Sequence, residues 1–237
     1  MTATLDLPPN FNQDKKELID FAYERLTPRP MAFADLGGVW GVDGAYTRYT
    51  LQRYGATRAV LVDTNFTDKV IQAAPSFPSL TLVKGNFGDP ATAAQVGNVD
   101  AIFMFDVLLH QVKPDWDQVL AMYAPRTRLF IVYNQQWVGG RRTIRLLDLP
   151  RDQYFANVPH DRTVPPYSFL FEKMYEMNTE HGRLWRDVHN IWQWGIVDHD
   201  LVDCLDHLGF TMQLYKNCGQ WGELRNIQNH AFIFQKR

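Results

Sequence analysis

The feature that most constrains the fold is a series of five short apolar runs separated by segments with a helical pattern. Each run has the length of a strand and is apolar throughout, as is typical of strands covered on both faces in a parallel sheet. Parallel strands need crossover connections, which are right-handed and usually helical. The chain is therefore expected to form a doubly wound sheet. The runs are residues 31–35, 59–63, 80–84, 101–106 and 129–133.

Amphipathic segments supply the expected helices. Residues 13–26 carry apolar side chains on one face, and the prolines at 28 and 30 are expected to end this helix. Residues 114–123 predict another helix, with Asp115 near its positive end. Residues 198–208 predict a third, followed by Gly209 as its C-terminal cap.

Two runs near the end of the chain, residues 210–216 and 231–236, alternate apolar and polar side chains. This pattern is typical of antiparallel strands with one solvated face, so we expect a terminal pair at the sheet edge. The predicted fold class is α/β. It is a Rossmann-like doubly wound sheet of about seven strands, mostly parallel with an antiparallel terminal strand, plus an aromatic-rich insertion.

A single domain is expected to span residues 1–237. Residues 1–29 are interpreted as an N-terminal helical cap, and residues 135–197, where the strand–helix rhythm stops, as an inserted segment that covers the substrate. Aromatic residues make up 14% of the chain, and four of its seven tryptophans lie in this segment. They are Trp137, Trp185, Trp192 and Trp194.

Charge and composition exclude several partners. The chain has 24 basic and 26 acidic residues, whereas nucleic-acid binding needs a concentrated basic surface, so no nucleic-acid partner is expected. No apolar run approaches the roughly 18 residues of a membrane span, so no membrane association is expected either. The first residues lack the pattern of a secretory signal, and two cysteines, Cys204 and Cys218, indicate a reducing compartment. We therefore expect a cytoplasmic protein.

Candidate binding residues follow the strands, because doubly wound sheets bind ligands at the carboxyl ends of their strands. Glycines after the first strand let a ligand approach the main chain, and Asp63 after the second suits the hydroxyls of a ribose. Asn86 and Phe87 after the third suit the edge and the ring of an adenine. The candidate cofactor-binding residues are Asp35, Gly37, Gly38, Gly41, Gly44, Asp63, Thr64, Asn86, Phe87 and Asp106.

In this order, the segments DLGGVWG, AVLVD, KGNFGD and VDAIFMFDVLLHQV resemble the motifs of class I S-adenosylmethionine-dependent methyltransferases. LDHLGF before the terminal strands is similar to that family's closing pattern. The resemblance covers residues 31–135 and 198–237. It implies S-adenosyl-L-methionine as the cofactor and transfer of its methyl group to an acceptor. Val39 stands where the family has a glycine. Gly44 is therefore assigned to the position of the last glycine in the family's loop, which is longer here around Trp40.

Methyl transfer from a sulfonium is an in-line displacement, and a hydroxyl acceptor must also lose a proton. Histidine titrates near neutrality, so His189 and His110 are the candidate general bases, with His160 a weaker third. Their presence favours O-methylation over N-methylation. Four aromatic residues are expected to bind a small-molecule methyl acceptor, aromatic or sugar-like, although such residues are also common in cores. They are Tyr133, Tyr167, Trp192 and Trp194.

Two other functions stay open. A non-catalytic protein that keeps the cofactor fold is suggested by Val39 and Trp40 in the glycine loop. An NAD-dependent oxidoreductase is less favoured, because Val39 stands where its fingerprint has glycine and no Tyr-x-x-x-Lys pair occurs. No phosphate-binding loop, H-E-x-x-H or C-x-x-C motif is present, so no metal is assigned. Asp106 and Asn134, at the ends of adjacent strands, are only a weak candidate for Mg²⁺.

Overall fold

The computed structural model describes residues 8–27 and 31–237. The first seven residues of the predicted cap, and the prolines predicted to stop its helix, lie outside the described residues. The described helices are α1 (Gln13–Phe21), α2 (Ala45–Tyr54), α3 (Asp68–Ala73), α4 (Pro90–Val96), α5 (Trp116–Tyr123), α6 (Arg151–Phe155), α7 (Leu170–Lys173) and α8 (Asp198–His207). The strands are β1 (Ala32–Leu36), β2 (Arg58–Asp63), β3 (Leu80–Lys84), β4 (Ala101–Phe105), β5 (Leu129–Trp137), β6 (Ile144–Arg145), β7 (Met177–Asn178), β8 (Arg183–Leu184), β9 (Trp194–Gly195), β10 (Phe210–Gln220) and β11 (Ile227–Lys236).

Seven strands form one sheet in the order β10–β11–β5–β4–β1–β2–β3. Five strands, β1 to β5, are parallel to one another. β11 is antiparallel to both of its neighbours, β5 and β10. The predicted fold class is therefore confirmed, including the antiparallel terminal strand. The strand order reverses between β1 and β4, so their carboxyl ends flank the crevice where this fold binds ligands.

Alternate side chains of the parallel strands enter two different cores, which explains why the runs are apolar throughout. Phe103 and Phe105 of β4 pack on the side of α1 and α2, and Phe33 stacks on Phe103 with ring centroids 4.8 Å apart. Ile102 and Met104 pack on the opposite side, with α4, α5 and α8. Both faces of the sheet are thus covered, as parallel sheets require.

The segment after the fifth apolar run departs from strand–helix alternation. β5 continues through Trp137, so the predicted boundary at residue 135 falls inside a strand. Beyond it the chain forms two small two-stranded sheets, β6–β9 and β7–β8, and a hydrophobic cluster of its own. That cluster joins Tyr154 and Trp192 to Leu109 and Trp137 of the sheet domain, which fixes the segment above the carboxyl ends of β4 and β5.

None of the helices in residues 8–27 and 31–237 combines the length and the apolar character that crossing a bilayer requires.

Candidate functional site

The loop between β1 and α2 turns back over the end of the sheet by means of glycines in the left-handed region. Gly37, Gly41 and Gly44 have φ values of 74°, 73° and 66°. A Cβ on Gly37 would lie 2.6 Å from the Val107 side chain, so a larger residue would not fit there. Gly44 is the N-cap of α2, and its N–H donates to the Gly38 carbonyl at 2.9 Å. The loop is therefore fixed by backbone conformations that glycine adopts most easily.

Asp35 is fully buried beneath this loop. Thr47 donates a hydrogen bond to its Oδ2 at 2.7 Å, whereas Oδ1 has no hydrogen-bond partner. The pKa of Asp35 is raised to about 6, mainly by burial; the neighbouring Asp63 adds to the rise, whereas Thr47 and Lys15 oppose it. The carboxylate is thus an incompletely satisfied acidic group at the crevice.

Asp63, the last residue of β2, is half-buried and holds two loops together. Its Oδ2 accepts from the Val39 N–H at 3.1 Å, and its Oδ1 accepts from the Asn65 N–H at 3.3 Å. Thr64 beside it is exposed. The Val39 side chain packs with Leu61 under the loop, so the valine that replaces a family glycine fills an apolar space.

Asn86 is engaged by protein groups on both of its polar atoms. Its Oδ1 accepts from the Gly88 N–H at 2.8 Å, and its Nδ2 lies 2.6 Å from Nε2 of His189. Burial is the main reason that the pKa of His189 falls to about 4. His189 belongs to the segment after β5, so that segment reaches across to the end of β3. Phe87 is buried, and its ring lies 3.6 Å from where a Gly37 Cβ would be.

Asp106, which follows β4, has an unusual φ of 59°. Its carboxylate contacts two other side chains. Its Oδ1 accepts from Gln135 Nε2 at 2.6 Å, and its Oδ2 accepts from the Lys15 ammonium. Sequence reasoning missed Lys15, although a signal was present. Lys15 precedes Leu18 and Ile19 by three and four residues, so this cation lies on the buried face of α1.

Asp106 and Asn134, the weak candidate for Mg²⁺, do not face a common site. The Asp106 carboxylate holds Lys15 and Gln135 instead, while the Asn134 amide donates to Gln136 at 3.2 Å. In the part of the chain that the structure describes, no group of three or more histidine, cysteine or acidic side chains is arranged to hold a metal ion.

The remaining predicted residues lie mostly inside the segment after β5. His160 stacks on Tyr167 with centroids 4.3 Å apart, and the Trp192 ring is 6.3 Å from both His160 and His110. Burial lowers the pKa of His110, whose Nδ1 is 3.1 Å from the Ile191 carbonyl oxygen. Tyr167 and Trp192 are buried, so these rings form an interior and not an open surface.

Trp194 and Tyr133 have partners elsewhere. Trp194 donates from Nε1 to the Gln111 carbonyl at 2.6 Å, and Tyr133 accepts from Asn12 Nδ2 at 3.2 Å. The predicted residues at the strand ends thus fall into three groups. Asp35, Asp63 and the glycines form the first, Asn86 with His189 the second, and Asp106 with Tyr133 the third.

No protein-family model matches the sequence, and no curated protein is significantly similar to it. Solved structures do match the fold. A 1,6-didemethyltoxoflavin-N1-methyltransferase from Burkholderia thailandensis, bound to its acceptor and S-adenosylhomocysteine, aligns with a TM-score of 0.57 and 14% identity, over 94% of this chain and 78% of that one. Magnesium protoporphyrin IX methyltransferase from Synechocystis PCC 6803 aligns with a TM-score of 0.58 and 11% identity, over 95% and 83%.

A third match is the mitomycin 7-O-methyltransferase MmcR, with a TM-score of 0.55 and 11% identity, over 94% of this chain and 53% of that one. At such identities the likeness concerns the fold. The seven-stranded order, the glycine loop after β1 and the acidic residue after β2 agree with it. The chain has the fold of class I S-adenosylmethionine-dependent methyltransferases.

Proposed function

We propose that this protein is an S-adenosylmethionine-dependent methyltransferase that acts on a small molecule. The observation that carries the proposal is the convergence of Asp35, the glycine loop and Asp63 at the point where the strand order reverses. Two separate stretches of sequence meet there, the end of β1 with its glycine loop and the end of β2, and each has the side chain or backbone that a nucleoside-bearing cofactor needs. Bound S-adenosylmethionine supplies an electrophilic methyl group on a sulfonium centre.

The residues present fit this cofactor in charge. Oδ1 of Asp35 is a buried carboxylate oxygen without a partner, and a cationic ligand in the crevice would stabilise its charged form. Gly38 lies directly over that carboxylate, because a Cβ there would come within 2.4 Å of Oδ2. The loop is therefore packed directly on the Asp35 carboxylate. In the proposed complex, Asp63 accepts from the ribose hydroxyls.

Asn86 is the proposed contact of the adenine, with Phe87 against the ring. Because His189 and Gly88 engage the Asn86 amide, the adenine has to exchange with the His189 contact. His189 has a pKa of about 4, so its imidazole is neutral at pH 7 and is a weaker proton acceptor than an exposed histidine. We propose His189, with His110 as the second candidate, as the base for a hydroxyl acceptor.

The proposed acceptor is small, because Tyr167 and Trp192, two of the residues proposed to contact it, are buried in the hydrophobic cluster of the segment after β5. Tyr133, Tyr167, Trp192 and Trp194 are the proposed contacts. Two structural neighbours act on small ring compounds, a toxoflavin precursor and mitomycin, at nitrogen and at oxygen respectively. O-methylation remains our preference, since histidines lie near the crevice.

Calorimetric titration with S-adenosylhomocysteine tests the cofactor directly. We expect saturable binding to the wild type. Asp63→Ala should weaken it by about 1–3 kcal/mol, the usual cost of losing hydrogen bonds to a charged group. Asp68→Ala, an exposed acid in the first turn of α3, is the matched control and should leave the affinity unchanged. Absence of binding to the wild type, or equal affinity in Asp63→Ala, would contradict the assignment.

A non-catalytic binding protein is the second candidate, and the altered glycine loop favours it, with Val39 buried in place of a family glycine and Trp40 exposed. Transfer of a labelled methyl group to any member of a small-molecule panel excludes this alternative. Cofactor binding without transfer across the panel supports it. Binding of NADH without binding of S-adenosylhomocysteine would instead favour the oxidoreductase.

A further inference from the structure

The Lys15 ammonium sits in a site with the composition of an ammonium receptor. Its Nζ lies 4.9 Å from the ring centroid of Tyr133, 5.5 Å from that of Tyr46 and 5.8 Å from that of Phe105. All three distances are within the roughly 6 Å of a cation–π contact. The Asp106 carboxylate completes the site by pairing with the same nitrogen. We call Tyr46, Phe105, Asp106 and Tyr133 the ammonium cage.

Contacts independent of Lys15 hold the cage in shape. The backbone N–H of Asn12 donates to Tyr46 Oη at 2.8 Å, and the Asn12 side chain donates to Tyr133 Oη at 3.2 Å. Phe105 meets Tyr46 edge-on with centroids 5.2 Å apart. Gln135 fixes the second oxygen of Asp106. The rings and the carboxylate are therefore preorganised for a cation, whichever molecule carries it.

The cage adjoins the proposed cofactor site. Asp106 and Phe105 end β4, Tyr133 lies in β5, and Tyr46 is in the first turn of α2, immediately after the glycine loop. The Asp35 carboxylate is close enough that the Lys15 charge counteracts the rise in its pKa. The Lys15 side chain is 9% exposed and that of Asp106 37% exposed, so the cage opens to solvent on the Asp106 side.

We propose that the cage binds the ammonium group of the methyl acceptor, and that Lys15 is an internal occupant which the acceptor displaces. This inference rests on the proposed function and narrows its acceptor to small molecules that carry an alkylammonium group. The lysine stem is unbranched, so the side chain can leave the cage while Leu18 and Ile19 keep α1 packed on the sheet. Aromatic faces with a carboxylate select a cation over a neutral group of the same size.

A probe of matched size tests the cage. Lys15→Ala removes the atoms from Cγ to Nζ, which correspond to n-propylammonium. By calorimetry or ligand-observed NMR, we expect this variant to bind n-propylammonium at least tenfold more tightly than the wild type does, and n-propanol not at all. Lys16→Ala, which removes the neighbouring lysine outside the cage, should behave like the wild type. Equal affinity for n-propylammonium in all three proteins would overturn the proposal.

Two further variants keep the test decisive if Lys15→Ala does not fold. Lys15→Met keeps an apolar stem and removes only the competing charge, so it should still bind n-propylammonium more tightly than the wild type. Adding Asp106→Asn to either Lys15 variant should weaken that binding at least tenfold. Retained affinity without the carboxylate would show that the alkyl group binds in a cavity and that its charge is not recognised.

The cofactor also carries an ammonium group, so the experiment is repeated at saturating S-adenosylhomocysteine. An unchanged affinity for n-propylammonium supports the acceptor assignment, whereas competition assigns the cage to the cofactor and overturns it. If n-propylammonium binds and S-adenosylhomocysteine does not, the methyltransferase proposal fails, and the acceptor assignment fails with it. If S-adenosylhomocysteine binds and n-propylammonium does not, only the proposal for the ammonium cage is overturned.

Discussion

At the residue scale, the buried Asp35 carboxylate is the most costly polar feature of the crevice. A fully buried acid with only Thr47 as a hydrogen-bond donor is destabilising when it is ionised. Its pKa of about 6 expresses that cost. The buried carboxylate thus lowers the stability of the fold at the position where the proposed ligand would bring a positive charge. Groups with such shifted pKa values are common at functional sites.

The pKa of Asp35 gives a prediction about stability and pH. Because the pKa is raised in the folded state from 3.8 to about 6, the ionised carboxylate destabilises the fold fully above pH 6, and protonation relieves this as the pH falls toward 4. Asp35→Asn cannot ionise. Its free energy of unfolding relative to the wild type should therefore rise by about 1–3 kcal/mol between pH 4 and pH 7. Denaturant titrations at both pH values measure this difference.

The exposed Asp68 is the control for this experiment, since Asp68→Asn should give the same difference from the wild type at both pH values. If the difference between Asp35→Asn and the wild type were also the same at both pH values, burial would not destabilise the ionised Asp35 carboxylate.

Individual contacts of this kind were only partly predictable. Asp35 and Asp63 were identified because a fold-level rule directs attention to strand ends. The helical pattern could have shown that Lys15 is buried, but its pairing with Asp106 was not predictable, because Asp106 is 91 residues away and nothing local pairs them. The contact between His189 and Asn86 spans 103 residues and was equally inaccessible.

At the scale of elements, the parallel strands were predictable because burial on both faces leaves a continuous apolar run. β10 and β11 extend four residues beyond the predicted runs 210–216 and 231–236, since most of the added residues are polar and pair through the backbone. The segment after β5 had no usable pattern. Its strands are two residues long, and side-chain contacts rather than periodicity hold it in place.

One such contact ties this segment to the loop after β4. Asp187 is buried and receives Lys113 Nζ at 2.5 Å and Arg145 at 2.9 Å. Burial alone would raise the pKa of Asp187, but these two cations lower it. Arg145 also donates to Gln193, so the pair is part of a buried polar network.

Removing the carboxylate should loosen the segment. Asp187→Ala leaves Arg145 largely buried without its counter-ion, so we expect a loss of about 3 kcal/mol in the free energy of unfolding. Asp148→Ala breaks one pair with Arg186 in the same segment; the Asp148 side chain is 63% exposed, and the loss should stay below about 1 kcal/mol. Urea denaturation measures both values, and equal losses would show that the Asp187 network does not anchor the segment.

At the scale of the whole molecule, two covers lie over the carboxyl ends of the parallel strands. α1 reaches Asp106 through Lys15, and the segment after β5 reaches Asn86 through His189. The fold class followed from the apolar runs because they record where each strand is buried. The positions of α1 and of the segment after β5 over the strand ends could not be predicted from the apolar runs, because they depend on single polar contacts between distant residues.

The central claim is that a cofactor lies across the carboxyl ends of β1 and β2, and a crystal structure of the protein soaked with S-adenosylhomocysteine tests it most directly. The account predicts ribose density within hydrogen-bond distance of Asp63, adenine density beside Phe87, and His189 displaced from Asn86. A structure in which His189 still contacts Asn86 and the ligand lies elsewhere, or no ligand binds at saturating concentration, would contradict it.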